Sequence, residues 1–140
     1  SFDWFMKNPY LTVEGCVDRL FEEYKKHPRL IVACDFDSTV FPWKLPEDTD
    51  FSDTFNVLHR AAKHKFFIVL FTASALERWQ EMIKYMADRG IEVAAVNRNI
   101  INLPYGDFGK IYYNILLDDR AALGQSIEIL NKLIDRIENE

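Results

Sequence analysis

Short apolar runs alternate with amphipathic segments along the chain. In residues 12–26, Val13, Val17, Leu20 and Tyr24 recur at helical spacing, which predicts an amphipathic helix. Thr12 can cap its start and Pro28 marks its end. LIVACDF, residues 30–36, is continuous, branched and apolar, the pattern of a strand buried on both faces. Residues 38–50 hold Pro42 and Pro46 among polar neighbours and read as a loop or short flap. A helix is predicted over 52–64 with Phe55, Leu58 and Ala62 inward, and FFIVLF, 66–71, is a second buried strand. Residues 74–89 give the clearest helix. Ser74 and Glu77 suit a capping box, Trp79, Met82, Ile83 and Met86 form its stripe, and Gly90 ends it. IEVAAV, 91–96, predicts a third strand, 97–109 a loop and 112–118 a fourth strand. A last helix follows over about 120–137, with Leu123, Ile127, Leu130, Ile134 and Ile137 on one face. This alternation predicts a single α/β domain over 1–140: a three-layer, Rossmann-like, mainly parallel sheet with helices on both faces.

Composition narrows the picture. A chain of 140 residues suits one domain with a real core. With 49% apolar and 28% charged residues, disorder is not the default. A net charge of −5 removes a global basic field for nucleic acid, though not a local patch. Cys16 and Cys34 form neither a disulfide framework nor a zinc site by spacing, and Cys34 reads as a small buried core residue. A reducing, cytoplasmic setting fits that usage. The stretch SFDWFMKNPY lacks the basic start and long apolar run of a signal peptide. No run has the length of a membrane helix, so no membrane partner is expected.

In open parallel sheets, ligands bind beyond the carboxyl ends of the strands, where strand order reverses. Asp35-Phe36-Asp37-Ser38-Thr39 closes the first predicted strand, and Thr72-Ala73-Ser74 the second. Gly109-Lys110 precedes the fourth, and Asp118-Asp119 ends it. Carboxylates closing apolar strands are costly unless paired or metal-bound. Several hard oxygens and one cation suit Mg²⁺ with a phosphate.

VACDFDSTVF, FIVLFTAS, Lys110 and ILLDDRA, in this order at four strand ends, resemble the four motifs of the haloacid dehalogenase superfamily. The match covers roughly residues 30–123. GKIYYNILLDDRA is also similar to the GKPYYD-x-x-IDDRA wording of several small members, with Ile111 in place of the proline. The resemblance implies a Mg²⁺-dependent phosphomonoester hydrolase. Asp35 would attack phosphorus and form an aspartyl-phosphate. Asp37 would protonate the leaving oxygen, then activate water, and lend its backbone carbonyl to the metal. Asp118 would complete the metal site. Asp119 would be either a direct or water-mediated ligand or the N-cap of the last helix. Lys110 would neutralise the phosphoryl oxygens, and Thr72 would donate to one of them.

One helix and one strand fill most of the stretch between Asp37 and Thr72, so a small capless member is expected. An open site admits a phosphorylated small molecule or a nucleic-acid end, or waits for a lid from a second copy in a homo-oligomer. A nucleotide or nucleic-acid end leads; a sugar phosphate or phosphoprotein stays open. Phe41, Trp43 and Lys44 on the flap could meet a base or fold back onto the sheet. Arg78, Arg98 and Arg120 lie near strand ends. A phosphotransferase or mutase with the same nucleophile, or a non-catalytic phosphate-binding module, are the competing readings. Asp107-Phe108-Gly109 spells a kinase triplet without the rest of the kinase set, and His27, His59 and His64 lack ligand spacing.

Overall fold

The computed structural model describes residues 8–104 and 106–140. A 3₁₀ turn, Pro9–Leu11, leads into α1 (Val13–Lys26), β1 (Ile31–Asp35), α2 (Ser52–Lys63), β2 (Phe67–Phe71) and α3 (Leu76–Asp88). Then come β3 (Ala95–Val96), β4 (Ile115–Leu117) and α4 (Leu123–Glu138). Of SFDWFMKNPY, residues 1–7 lie outside the described residues.

All four strands run parallel, in the order β3-β2-β1-β4. Cys34 pairs with Leu70 on one side and Leu117 on the other. Side chains alternate along a strand, so the register defines two faces. Val32, Cys34, Ile68, Leu70, Val96, Ile115 and Leu117 share the first. They join a core with Val17 and Leu20 of α1, Val57, Leu58 and Ala61 of α2, Met82 and Met86 of α3, and Leu130, Leu133 and Ile134 of α4. On the second face, Ile31, Val69 and Ala95 pack with Ile100, Leu103 and Tyr112.

Crossover handedness explains this division. Stepping outward from β1 to β2 to β3 with right-handed connections keeps the helices on one face. Returning from β3 to β4, beyond β1, must cross the other. Residues 97–104 and 106–114 make that return without a helix. The α/β three-layer, Rossmann-like architecture without a cap is present, and this return segment forms its third layer. The sequence pattern expects helices on both faces, whereas the buried side chains of all four helices lie in the first-face core. A cavity of about 560 Å³ remains between the return segment and the sheet's opposite edge, bordered by Pro28, Arg29, Ile31, Phe67, Ile100 and Asn114.

Other local expectations shift. The strand predicted over 112–118 shortens to Ile115–Leu117, because Tyr112 packs on the second face and Asn114 turns inward. The Asn114 carboxamide accepts from the Ile31 N–H at 2.7 Å. The strand over 91–96 shrinks to Ala95–Val96, with Ile91 already buried in the first-face core. In α2 the inward set is Thr54, Val57, Leu58 and Ala61, a small rotation from the expected face. The Thr12 cap is present: its Oγ1 accepts from Gly15 N–H at 3.0 Å.

Candidate active site

The switch point in strand order lies between β1 and β4, and the acids collect there. Asp35 is the last residue of β1, and Asp118-Asp119 follow β4. One carboxylate oxygen from each of Asp35, Asp118 and Asp119 lies within 4.8 Å of the others. Asp37, Ser38, Trp43, Ala73 and Arg120 complete a pocket of about 400 Å³ around them.

The chain after β1 turns sharply to build this edge. Ser38 sits at φ 65°, a left-handed conformation uncommon outside glycine. Its N–H donates to Phe41 O at 2.8 Å, and Val40 N–H donates to Phe36 O at 3.0 Å. This turn drives Thr39 inward, where it is fully buried. The Asp119 N–H donates to Thr39 Oγ1 at 2.9 Å. The single Thr39 hydroxyl proton faces two acceptors, Asp119 Oδ1 at 3.0 Å and Asp35 Oδ2 at 3.3 Å. Thr39 therefore ties β1 to the acids beyond β4. The motif spelling contains it, but only the fold shows its second partner, 80 residues away.

Burial, then the Asp118 and Asp119 carboxyls, push the Asp35 pKa up to about 7. The Thr39 hydroxyl opposes that shift by favouring the charged form. Asp119 does not cap α4: Ala122, at φ 50°, holds the cap position without a side-chain bond. The Asp118 Oδ1 accepts from Arg120 N–H at 2.8 Å, which folds the chain back over the pocket.

Asp37 is held from α3. Arg78 Nη1 donates to Asp37 Oδ2 at 2.7 Å, and Nη2 to Oδ1 at 2.8 Å. This is a bidentate fork, the stronger kind of charged pair. Nη1 also lies 2.7 Å from Ser74 Oγ. The guanidinium sits over the rings of Phe36, Phe41 and Trp43, 5.2–5.4 Å from their centroids. Ser74 is thus an Arg78 acceptor rather than the expected N-cap; α3 starts at Leu76, with Ala75 at the cap.

Thr72 is pinned through its backbone. Its N–H donates to Asn97 Oδ1 at 2.9 Å, and Asn97 Nδ2 returns a bond to Thr72 O at 2.8 Å. Its hydroxyl accepts from Ser74 N–H at 2.9 Å, leaving its own proton for another acceptor. Ala73, rather than Thr72, lines the pocket. Lys110 is not among the residues lining the acid pocket. It is exposed on the return segment and borders hollows beside Phe108 and Tyr112, and beside Arg19 and Glu23. Its carbonyl is anchored by Asn99 Nδ2 at 2.9 Å. The arginine lining the acid pocket is Arg120; Arg98 is exposed and absent from its lining. Cys34, buried beneath Asp35, has its thiol pKa pushed up by burial and by the Asp35 and Asp118 charges, so it is inert.

Fold and site together define a parallel α/β protein with a carboxylate-lined pocket at the switch point of its sheet. A solved structure of a conserved protein from Bacteroides thetaiotaomicron is similar, with a TM-score of 0.59 and 22% sequence identity. The match covers 74% of this chain and 90% of that one, and it shows the fold. No family model matches the chain, and no curated protein matches it. Among the described residues, no helix is long and apolar enough to cross a membrane.

Proposed function

We propose that the protein is a Mg²⁺-dependent phosphomonoester hydrolase of the haloacid dehalogenase type, with Asp35 as nucleophile. The observation that carries this reading is the meeting of Asp35, Asp118 and Asp119 beyond the strand ends, with Asp37 across the same pocket. Three hard carboxylate donors fit Mg²⁺, which prefers oxygen and takes few protein ligands. Asp35, Asp118 and Asp119, with the backbone carbonyl of Asp37, would hold it. It would supply positive charge that lets a phosphate dianion approach a carboxylate.

The residues then divide the work. The Asp35 carboxylate attacks phosphorus, and the bond to the leaving oxygen breaks. Asp37, carrying a proton on the oxygen that has let go of its arm of the Arg78 fork, gives that proton to the leaving oxygen. In the second step Asp37 takes a proton from water, which attacks the acyl phosphate and releases free Asp35 and phosphate. The Arg78 fork fixes where the Asp37 carboxyl stands, and Arg120 meets the phosphoryl charge in the place first given to Lys110. Among the described residues, the mouth is bordered by exposed Asp119 and Arg120 and none forms a lid over it, which favours hydrolysis over phosphoryl transfer to a second substrate.

The test is phosphate release from a panel of phosphomonoesters, with Mg²⁺ and with chelator, for the wild type and Asp35→Asn. Mg²⁺-dependent turnover that disappears in Asp35→Asn is expected. Turnover that survives the substitution would reject Asp35 as nucleophile.

A further inference from the structure

Among the described residues, Trp43 is the one large apolar side chain lining the acid pocket, and the hydrolytic reading gives it no task. It is 49% exposed, yet it is held in place. Its backbone N–H donates to Phe41 O at 2.8 Å, and its backbone carbonyl accepts from Ser38 Oγ at 3.2 Å. The Arg78 guanidinium buttresses the indole, 5.4 Å from the ring centroid. Arg78 is itself fixed by Asp37 and Ser74. The Lys44 ammonium, 5.9 Å from the ring, sits on an exposed side chain that an incoming ring can displace.

The contrast with Phe41 on the same flap is informative. Phe41 stacks on Phe36 and meets Tyr85 edge-on, each at 5.3 Å, so its ring is spent on packing. The sequence leaves both aromatics open between the two fates, and the fold separates them. A half-open indole on a hydrogen-bonded backbone turn, buttressed by Arg78 at the mouth of a polar pocket, is a stacking platform that offers a large apolar face at low ordering cost. A pocket of about 400 Å³ accommodates one phosphate and one ring system.

We infer that Trp43 determines specificity here, and that the substrate class is a phosphate monoester carrying a planar aromatic ring that stacks on the indole. The ring is either an aryl group bonded directly to the phosphate oxygen or a nucleobase beyond a sugar. Turnover of such a substrate rests on the phosphatase reading; ring recognition itself does not.

Binding and turnover separate the two. Phenylphosphonate and methylphosphonate share a headgroup that is not hydrolysed and differ in the ring. Calorimetric titration of the full chain with Mg²⁺ should show phenylphosphonate bound roughly five- to a hundredfold more tightly, the range of one stacked ring. Trp43→Ala should bind both alike, at the wild-type affinity for methylphosphonate, and Trp43→Phe should keep most of the preference. In turnover, Trp43→Ala should raise KM for phenyl phosphate or a nucleoside monophosphate and leave glycerol 3-phosphate unchanged. The aromatic substrate that loses more identifies the ring's distance from phosphorus. A wild type that does not favour phenylphosphonate, whether it binds both or neither, overturns the inference. So does equal weakening of both ligands in Trp43→Ala. A ring preference in binding without turnover of any ester leaves ring recognition standing and rejects the phosphatase reading instead.

Discussion

Asp35 is under strain that its neighbours create. With its pKa pushed up to about 7 in the folded chain against an ordinary 3.8, the folded state holds this proton more tightly than the unfolded state does. Between those values the unfolded chain has lost the proton and the folded chain still holds it, so stability falls as the pH rises. The metal-free protein should therefore melt at progressively lower temperature from about pH 4 to pH 7, and Asp35→Asn should flatten that slope. Thermal scans by circular dichroism across pH measure both. Mg²⁺ that binds only the folded chain should raise the melting temperature most above pH 7, where Asp35 has lost its proton. Arginine placement makes a second residue-level prediction. Arg120→Ala should raise KM about tenfold or more, the scale of a lost charged hydrogen bond, while Lys110→Ala changes it less than about twofold. Steady-state kinetics on one substrate decides between them.

Each element carries a device that can be tested alone. The start of α1 crosses the Pro9–Leu11 turn so closely that a Cβ on Gly15 would sit 1.8 Å from the Pro9 carbonyl oxygen. Gly15→Ala should cost about 1–3 kcal/mol in urea denaturation, as overpacking does, with activity per folded molecule retained. The first turn of α3 presents Arg78 to Asp37. Arg78→Met should lower kcat about a hundredfold, the low end of general acid–base catalysis, and Arg78→Lys should restore little, because one ammonium cannot fork two oxygens. These elements were unequally legible. β1 and β2 announce themselves because LIVACDF and FFIVLF are buried on both faces, and α1 because its cap and stripe agree. β3 and β4 are legible as strands but read too long, since Ile91 and Tyr112 are apolar for packing reasons that do not require ladder pairing. Ser74 looked like a cap because Glu77 has the right spacing; its hydroxyl is instead taken by a guanidinium one turn on. The acids were readable from strand ends, but the Thr39–Asp119 and Arg78–Asp37 links are long-range contacts that no local pattern encodes.

Across the whole molecule, all four helices stand on one side of the sheet, tied to one another at the edges. Arg60 of α2 reaches Asn131, Asp135 and Glu138 of α4, and Arg136 and Lys132 of α4 reach Asp18 and Glu14 of α1. Among the described residues, the other side has only the return segment, with few ladder bonds and a 560 Å³ gap at its edge. Such a layer opens at a lower free energy than the helical one. A protease at low dose should therefore cut first between β3 and β4, detected by mass spectrometry, before any helix is nicked. The two pieces would stay clasped, because β4 and α4 pair and pack with the N-terminal part through β1, α1 and α2. The same gap in the helical coat that speeds cleavage also makes this the place where the chain can be split in two and reassembled, with the acids meeting only when both halves do.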